Sequence, residues 1–195
     1  MSGLNPTIKD NLKTYCENLN NDDVKLKRQV REILLDDEQQ KITTLSMLAL
    51  LDNKELIENE AEPFDYLGVN IFPYLIIEPT QTKVSNFICY ETSFRSIDTS
   101  NVTQKYQYIY FQVYCHQSND IMNDLYGLSR HDILGAMLID KFNFYPMLGG
   151  KVHLISDEAT NKSEYCVRTL VFEQYTDNNI AKNHAQINKI YRNPR

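Results

Sequence analysis

Arg130, His131 and Asp132 are the chain's densest grouping of residue types that move protons. A histidine beside a carboxylate can serve as a general base, because its proton comes and goes near neutral pH. The same three residues open an apolar-striped segment, LSRHDILGAMLIDKFN, in which Ser129 and Asp132 stand at capping-box spacing. An acid in a helix's first turn is favoured by the unpaired N–H groups there. Successive helical residues point about 100° apart, so the three side chains diverge and do not meet at one substrate atom. A scaffold role is therefore the stronger reading of this cluster.

Other chemical signatures are sparse. The glycines at 3, 68, 127, 135, 149 and 150 form no phosphate-cradling loop. His116, His131, His153 and His184 are never paired at i, i+4, which leaves zinc hydrolysis without its usual ligand spacing. Cys16, Cys89, Cys115 and Cys166 are scattered without a C-x-x-C pair, and they read as reduced thiols, three of them on strands, with neither a metal nor a disulfide role. The acidic runs DDEQQ, ENEAE and SDEATNKSE read as caps and solvated loops. The expectation is a non-enzymatic protein with no catalytic residues, no cofactor and no metal.

The segment KYQYIYFQVYCHQ carries a different kind of information. Tyr106, Tyr108, Tyr110 and Tyr114 recur with period two, and Ile109, Phe111, Val113 and Cys115 alternate with them. In a strand these two sets lie on opposite faces. One face is plainly core. Four tyrosines at ~150–250 Å² each exceed the patch a monomer usually exposes, so something must cover them. Three coverings are open: the protein's own helices, a second subunit, or stacked bases. The four tyrosines are the subunit-interface candidates.

The elements that would position these residues follow from the pattern. An Asn-rich polar arm occupies residues 1–20, and a helix capped by Asp22 or Asp23 buries Val30, Ile33 and Leu34. A second helix spans about Gln40 to Leu51, and a polar connection follows. From Asn70 the period falls to two: NIFPYLIIEP, SNFICYETSFR and YQYIYFQVYCH read as strands, the first kept to an edge by Pro73. The hairpin joining the latter two has a long polar tip, with Arg95, Asp98, Asn101 and Lys105 as its contact candidates. A helix with Ile133, Leu134, Met137, Leu138 and Phe142 on one face comes next, then strands KVHLIS and YCVRTLVFEQY. The order ααβββαββ predicts a single α+β domain over residues 21–178, with helices packed on a mainly antiparallel sheet of about five strands.

Charge narrows the partners. The chain carries a net charge of −6, and residues 1–65 alone hold eight Lys and Arg against fourteen Asp and Glu. Residues 179–195 form a basic tail in which Lys182, Lys189, Arg192 and Arg195 are the candidates for phosphate or partner contact. An acidic body is poorly suited to wrapping nucleic acid, whose affinity comes from neutralised phosphates. No apolar run approaches the ~18 residues of a membrane span, and the N-terminus lacks the basic start and apolar stretch of a signal peptide, so the expected site of synthesis is a cytoplasm.

Several phrases resemble the neck proteins of long-tailed bacteriophages and prophages of Gram-positive bacteria, in the tail-terminator or tail-completion group. They are NIFPYLIIEPTQTKVSNFICYE, YGLSRHDILGAMLIDKFN and LISDEATNKSEYCVRTLVFE, within a similarity running from about Val30 to Asp177. What the resemblance implies is a structural virion protein located at the head–tail junction and made in the host's cytoplasm. Its subunits would form a hexameric ring that ends the tail tube and joins it to the head connector. DNA would pass through the lumen without specific binding. The alternatives are a head-completion or adaptor protein that grips the portal and, from other classes, a small nuclease using Arg130, His131 and Asp132 or a single-strand-binding module using the tyrosines.

Overall fold

A computed structural model describes residues 22–75, 84–95, 104–122, 127–147 and 150–177, together with Pro6, Asp10, Asn11 and Thr14. Helix α1 (Asp22–Asp36) and helix α2 (Lys41–Leu50) open the domain. Their apolar stripes meet: Leu26, Val30, Ile33 and Leu34 of α1 and Met47, Leu48 and Leu50 of α2 belong to one buried core. The connection read from sequence as wholly polar contains a short helix α3 (Lys54–Glu58), which Asn53 caps by accepting from the Leu56 N–H, and a 3₁₀ turn, Pro63–Tyr66. Neither element carries enough apolar periodicity to show in the sequence.

Five strands form the main sheet in the order β1-β2-β3-β9-β8. They are β1 (Ile71–Phe72), β2 (Phe87–Arg95), β3 (Gln104–His116), β8 (His153–Lys162) and β9 (Tyr165–Asp177). All neighbours pair antiparallel except β1, which lies parallel to β2 at an edge, as Pro73 requires. Two small ribbons, β4 (Ile121–Met122) with β5 (Leu128–Ser129) and β6 (Pro146–Met147) with β7 (Gly150–Lys151), flank helix α4 (Arg130–Phe142). The expected α+β class and the helix–strand order hold, and among the described residues no helix is long and apolar enough to cross a membrane.

The acidic stretch DEATNK, expected as loop, is instead the second half of β8: Asp157 pairs with Leu170 and Thr160 with Val167. Its side chains are exposed and polar because it is the edge strand, and charge there blunts strand addition. Ser163, at φ 54°, closes the tight turn into β9.

The main core lies between the sheet and the helices. Ile109, Phe111, Val113 and Cys115 of β3 join Leu170 and Phe172 of β9, Ile88 and Tyr90 of β2, and Leu134, Leu138 and Phe142 of α4. Phe111 sits at its centre, 4.7 Å from the Phe142 ring and 5.9 Å from Phe172. Directly beside them Gln107 and Gln174 are buried opposite one another across β3 and β9 and bond side chain to side chain.

Candidate functional site

The other face of the sheet is where the tyrosine row lies. The β3–β9 register sets Tyr106 opposite Tyr175, Tyr108 opposite Glu173, Tyr110 opposite Val171 and Tyr114 opposite Val167. On the β2 side Tyr108 faces Ser93, Tyr110 faces Glu91 and Tyr114 faces Phe87. Cover on this face is graded along the strand. Tyr114 is 4% exposed, sealed in a second small cluster with Phe87, Cys89, Tyr165 and Val167, against which Phe72 and Leu75 pack. Its hydroxyl donates to Gln112 Oε1 at 2.7 Å, and burial pushes its phenol up to about 12. Tyr114 is therefore removed from the interface candidates: the segment after β1 returns over that end of the sheet and makes the tyrosine core.

Tyr106, Tyr108 and Tyr110 are only half-buried. Tyr106 rests on Tyr175, which is itself 52% exposed, with ring centroids 4.5 Å apart; Tyr108 stacks on Tyr110 at 6.2 Å. Among the described residues the small cluster on this face contains no helical residue, and Lys27 of α1 reaches the face to pair with Glu91 beside Tyr110. The rings shield one another sideways. A sheet face of this kind offers rigid aromatic area with polar tips, the composition found at protein interfaces.

The hairpin-tip candidates divide. Lys105, at the foot of the tip, places Nζ 4.3 Å from the Phe94 ring centroid. Arg95 pairs through its backbone with Tyr106. Asp98 and Asn101 lie outside the described residues, as do Lys182, Lys189, Arg192 and Arg195, the Arg95 side chain and Cys16.

Arg130 points away from the other two, but His131 and Asp132 stay together, with His131 Nε2 3.5 Å from Asp132 Oδ1. Arg130 is buried and reaches back to the Leu50 carbonyl at the end of α2 and, at 3.1 Å, to the Asn119 carbonyl. Asn86 also donates to the Leu50 and Leu51 carbonyls, so two distant residues satisfy the orphan acceptors of that helix end. Asp132 pairs with Arg168 of β9, whose guanidinium also holds Asp157 in a two-pronged bond at 2.6 and 2.7 Å. These carboxylates raise the pKa of Arg168.

The expected cap of α4 is corrected. Ser129 makes no side-chain cap bond. Asp120, from the connector after β3, accepts the His131 N–H at 3.0 Å in its place. Asp120 also faces His131 Nδ1 at 2.8 and 2.9 Å, a spacing that puts the ring proton on Nδ1. Two thiols converge on the same buried carboxylate. Cys115 and Cys166 sit directly opposite across β3 and β9, next to Asp120. Burial, then the Asp120 charge, raises the pKa of both. A nucleophilic cysteine needs a base or cation that lowers its pKa, and here the carboxylate does the opposite. The arrangement holds protons on sulfur and does not activate it.

Asp120 and Arg168 escaped notice in the sequence, where one reads as a loop acid and the other as one strand residue among many. Only the tertiary contacts reveal that they serve the start of α4, Asp120 through the path of the connector and Arg168 through its place on β9. A cleft of about 470 Å³ between α1 and β6, lined by Glu32, Asp36, Asp37, Glu38 and Tyr145, brings neither histidine nor cysteine to its carboxylates. Nearby, the wholly buried Lys141 donates to Thr44 Oγ1 at 2.8 Å, and burial lowers its pKa.

Residues 21–174 match the family model of YomW. No curated protein matches the chain. The match takes in α1 through nearly all of β9, so the helical layer, the sheet and its tyrosine face all fall within it. The chain belongs to the YomW family, a phage- and prophage-associated family of Bacillus.

Proposed function

We propose that this protein is a structural component of a phage particle, assembling with copies of itself into a ring that ends the tail tube and joins it to the head connector. The observation that carries the reading is the half-buried row of packed rings, Tyr106, Tyr108 and Tyr110, on a sheet whose other face is closed by the protein's own helices. A second copy of the chain is the covering that such a face fits. The membership of a phage-associated family and the resemblance to neck proteins support the same reading, and the hexameric number rests on that resemblance. A head-completion role that grips the portal would use the same face and differ in partner. A platform for stacked bases fits less well, because Glu173 stands opposite Tyr108, and an acid beside stacking rings repels phosphate.

Tyr108→Asp and Tyr110→Asp test this. Each places a charge where rings would be desolvated between subunits, so assembly should be lost while the isolated chain keeps its fold. Particle formation would be scored by complementation, the oligomer by light scattering and the fold by circular dichroism. Normal particles from both variants, or unfolding of the isolated chain by either, would overturn the proposal.

A further inference from the structure

The structure assigns a Zn²⁺ site to Asp120, His131 and Cys166. One ligand atom from each lies within 4.8 Å of the other two. Two ligands on a tetrahedral zinc, with bonds of about 2.0–2.3 Å, stand roughly 3.3–3.8 Å apart, so small side-chain rotations suffice to close the trio on an ion. His131 Nδ1 and Asp120 Oδ2 are already 2.8 Å apart and would open slightly. The donors come from three parts of the chain: the connector after β3, the first turn of α4, and the second residue of β9. A shared ion would bind all three together.

The donor set selects the metal. An imidazole, a carboxylate and a thiolate together suit zinc, whereas magnesium and calcium prefer oxygen alone. Position agrees with this. Asp120 is 4% exposed and held from behind by the His131 N–H, an outer support of the kind that fixes metal ligands. The His131 side chain is 13% exposed and Cys166 is partly exposed, which leaves an approach for an ion from solvent. Binding would shift the His131 ring proton from Nδ1 to Nε2, which faces Asp132 Oδ1 at 3.5 Å, and would release the Cys166 Sγ proton to solvent. No oxidant or reductant is involved. The ion would fasten the start of α4 to the sheet from below the tyrosine face, on the side opposite the assembly surface.

The test uses the full-length chain, reduced and stripped with chelator, titrated with Co²⁺ as a spectroscopic probe and then with Zn²⁺. One Co²⁺ per chain should bind, with a sulfur-to-metal charge-transfer band that Zn²⁺ abolishes, and stoichiometric Zn²⁺ should raise the melting temperature. Cys166→Ser and His131→Asn should each lose the band and weaken Zn²⁺ binding by about 100-fold or more. Cys89→Ala, on the other face of the sheet, should keep both. Circular dichroism of every variant establishes that the fold persists. Absence of the band in the wild-type chain, or its survival in either ligand variant, would overturn the assignment.

Discussion

Tyr114 shows how one side chain of a repeating row acquires a different fate from its neighbours. Sealed against Phe87 and Tyr165, its phenol rises from the ordinary 10.0 to about 12; burial does the same to Tyr90 on the helix side and carries Cys89 from 9.0 to about 12. A folded-state pKa above the unfolded one means that the folded chain keeps its proton longer. The stability from these groups is complete below about pH 9 and is lost as pH rises through 12. Lys141 acts in the opposite sense, since its burial cost fades as pH climbs toward its ordinary 10.5. Denaturant unfolding at steps between pH 9 and 12 should show a falling stability whose slope is reduced in Tyr114→Phe. An unchanged slope in that variant would mean that Tyr114 titrates as freely in the folded chain as in the unfolded one.

Helix α4 is tied to its surroundings by residues it does not contain. Asp120 caps its start, and Arg168 crosses beneath it to hold Asp132 and Asp157. Gly135 is the clearance for that crossing: a Cβ there would stand 2.5 Å from Arg168 Cδ and 2.9 Å from Nε. Alanine ordinarily gains about 0.8–1.0 kcal/mol over glycine inside a helix, while a clash of this kind costs about 1–3 kcal/mol. Gly135→Ala should therefore destabilise the protein by about 1 kcal/mol. In an Arg168→Ala background the same change should stabilise it by about 0.8–1.0 kcal/mol. Unfolding free energies of the four chains in this cycle decide the matter, and additivity of the two changes would refute the packing argument.

Across the whole molecule, charge and architecture separate the functions of the surfaces. The net charge of −6 includes the four cations of residues 181–195, so the domain without them is more acidic still. DNA binding by the full chain should be weak and steeply dependent on salt, and a chain ending at residue 178 should not bind detectably at physiological ionic strength. Fluorescence anisotropy with a labelled duplex measures both; sub-micromolar binding by the truncated chain would contradict a lumen through which DNA slides. The helices close one face of the sheet, and the return of Phe72 and Leu75 closes one end of the other. Among the described residues Tyr106, Tyr108, Tyr110 and Tyr175 form a half-buried aromatic surface at the other end.

The sequence by itself determined the class of fold, the strand that carries the tyrosines and the face on which they lie, because period two in a strand and period 3.6 in a helix are local properties of the backbone. It predicted through helical geometry that Arg130, His131 and Asp132 diverge, which holds for Arg130 and fails for His131 and Asp132, whose Nε2 and Oδ1 stand 3.5 Å apart because side chains can bend toward each other. It gave no sign of the second half of β8, whose polar residues match a loop in composition and become strand only through pairing with β9. Nor did it distinguish Tyr114 from Tyr110, because cover is supplied by a segment some forty residues earlier in the chain. The gathering of Asp120, His131, Cys115 and Cys166 was decided by tertiary structure alone. Cys115 meets Cys166 through strand register, and Asp120 reaches α4 through the path of a connector, neither of which has a local signature in the residues involved.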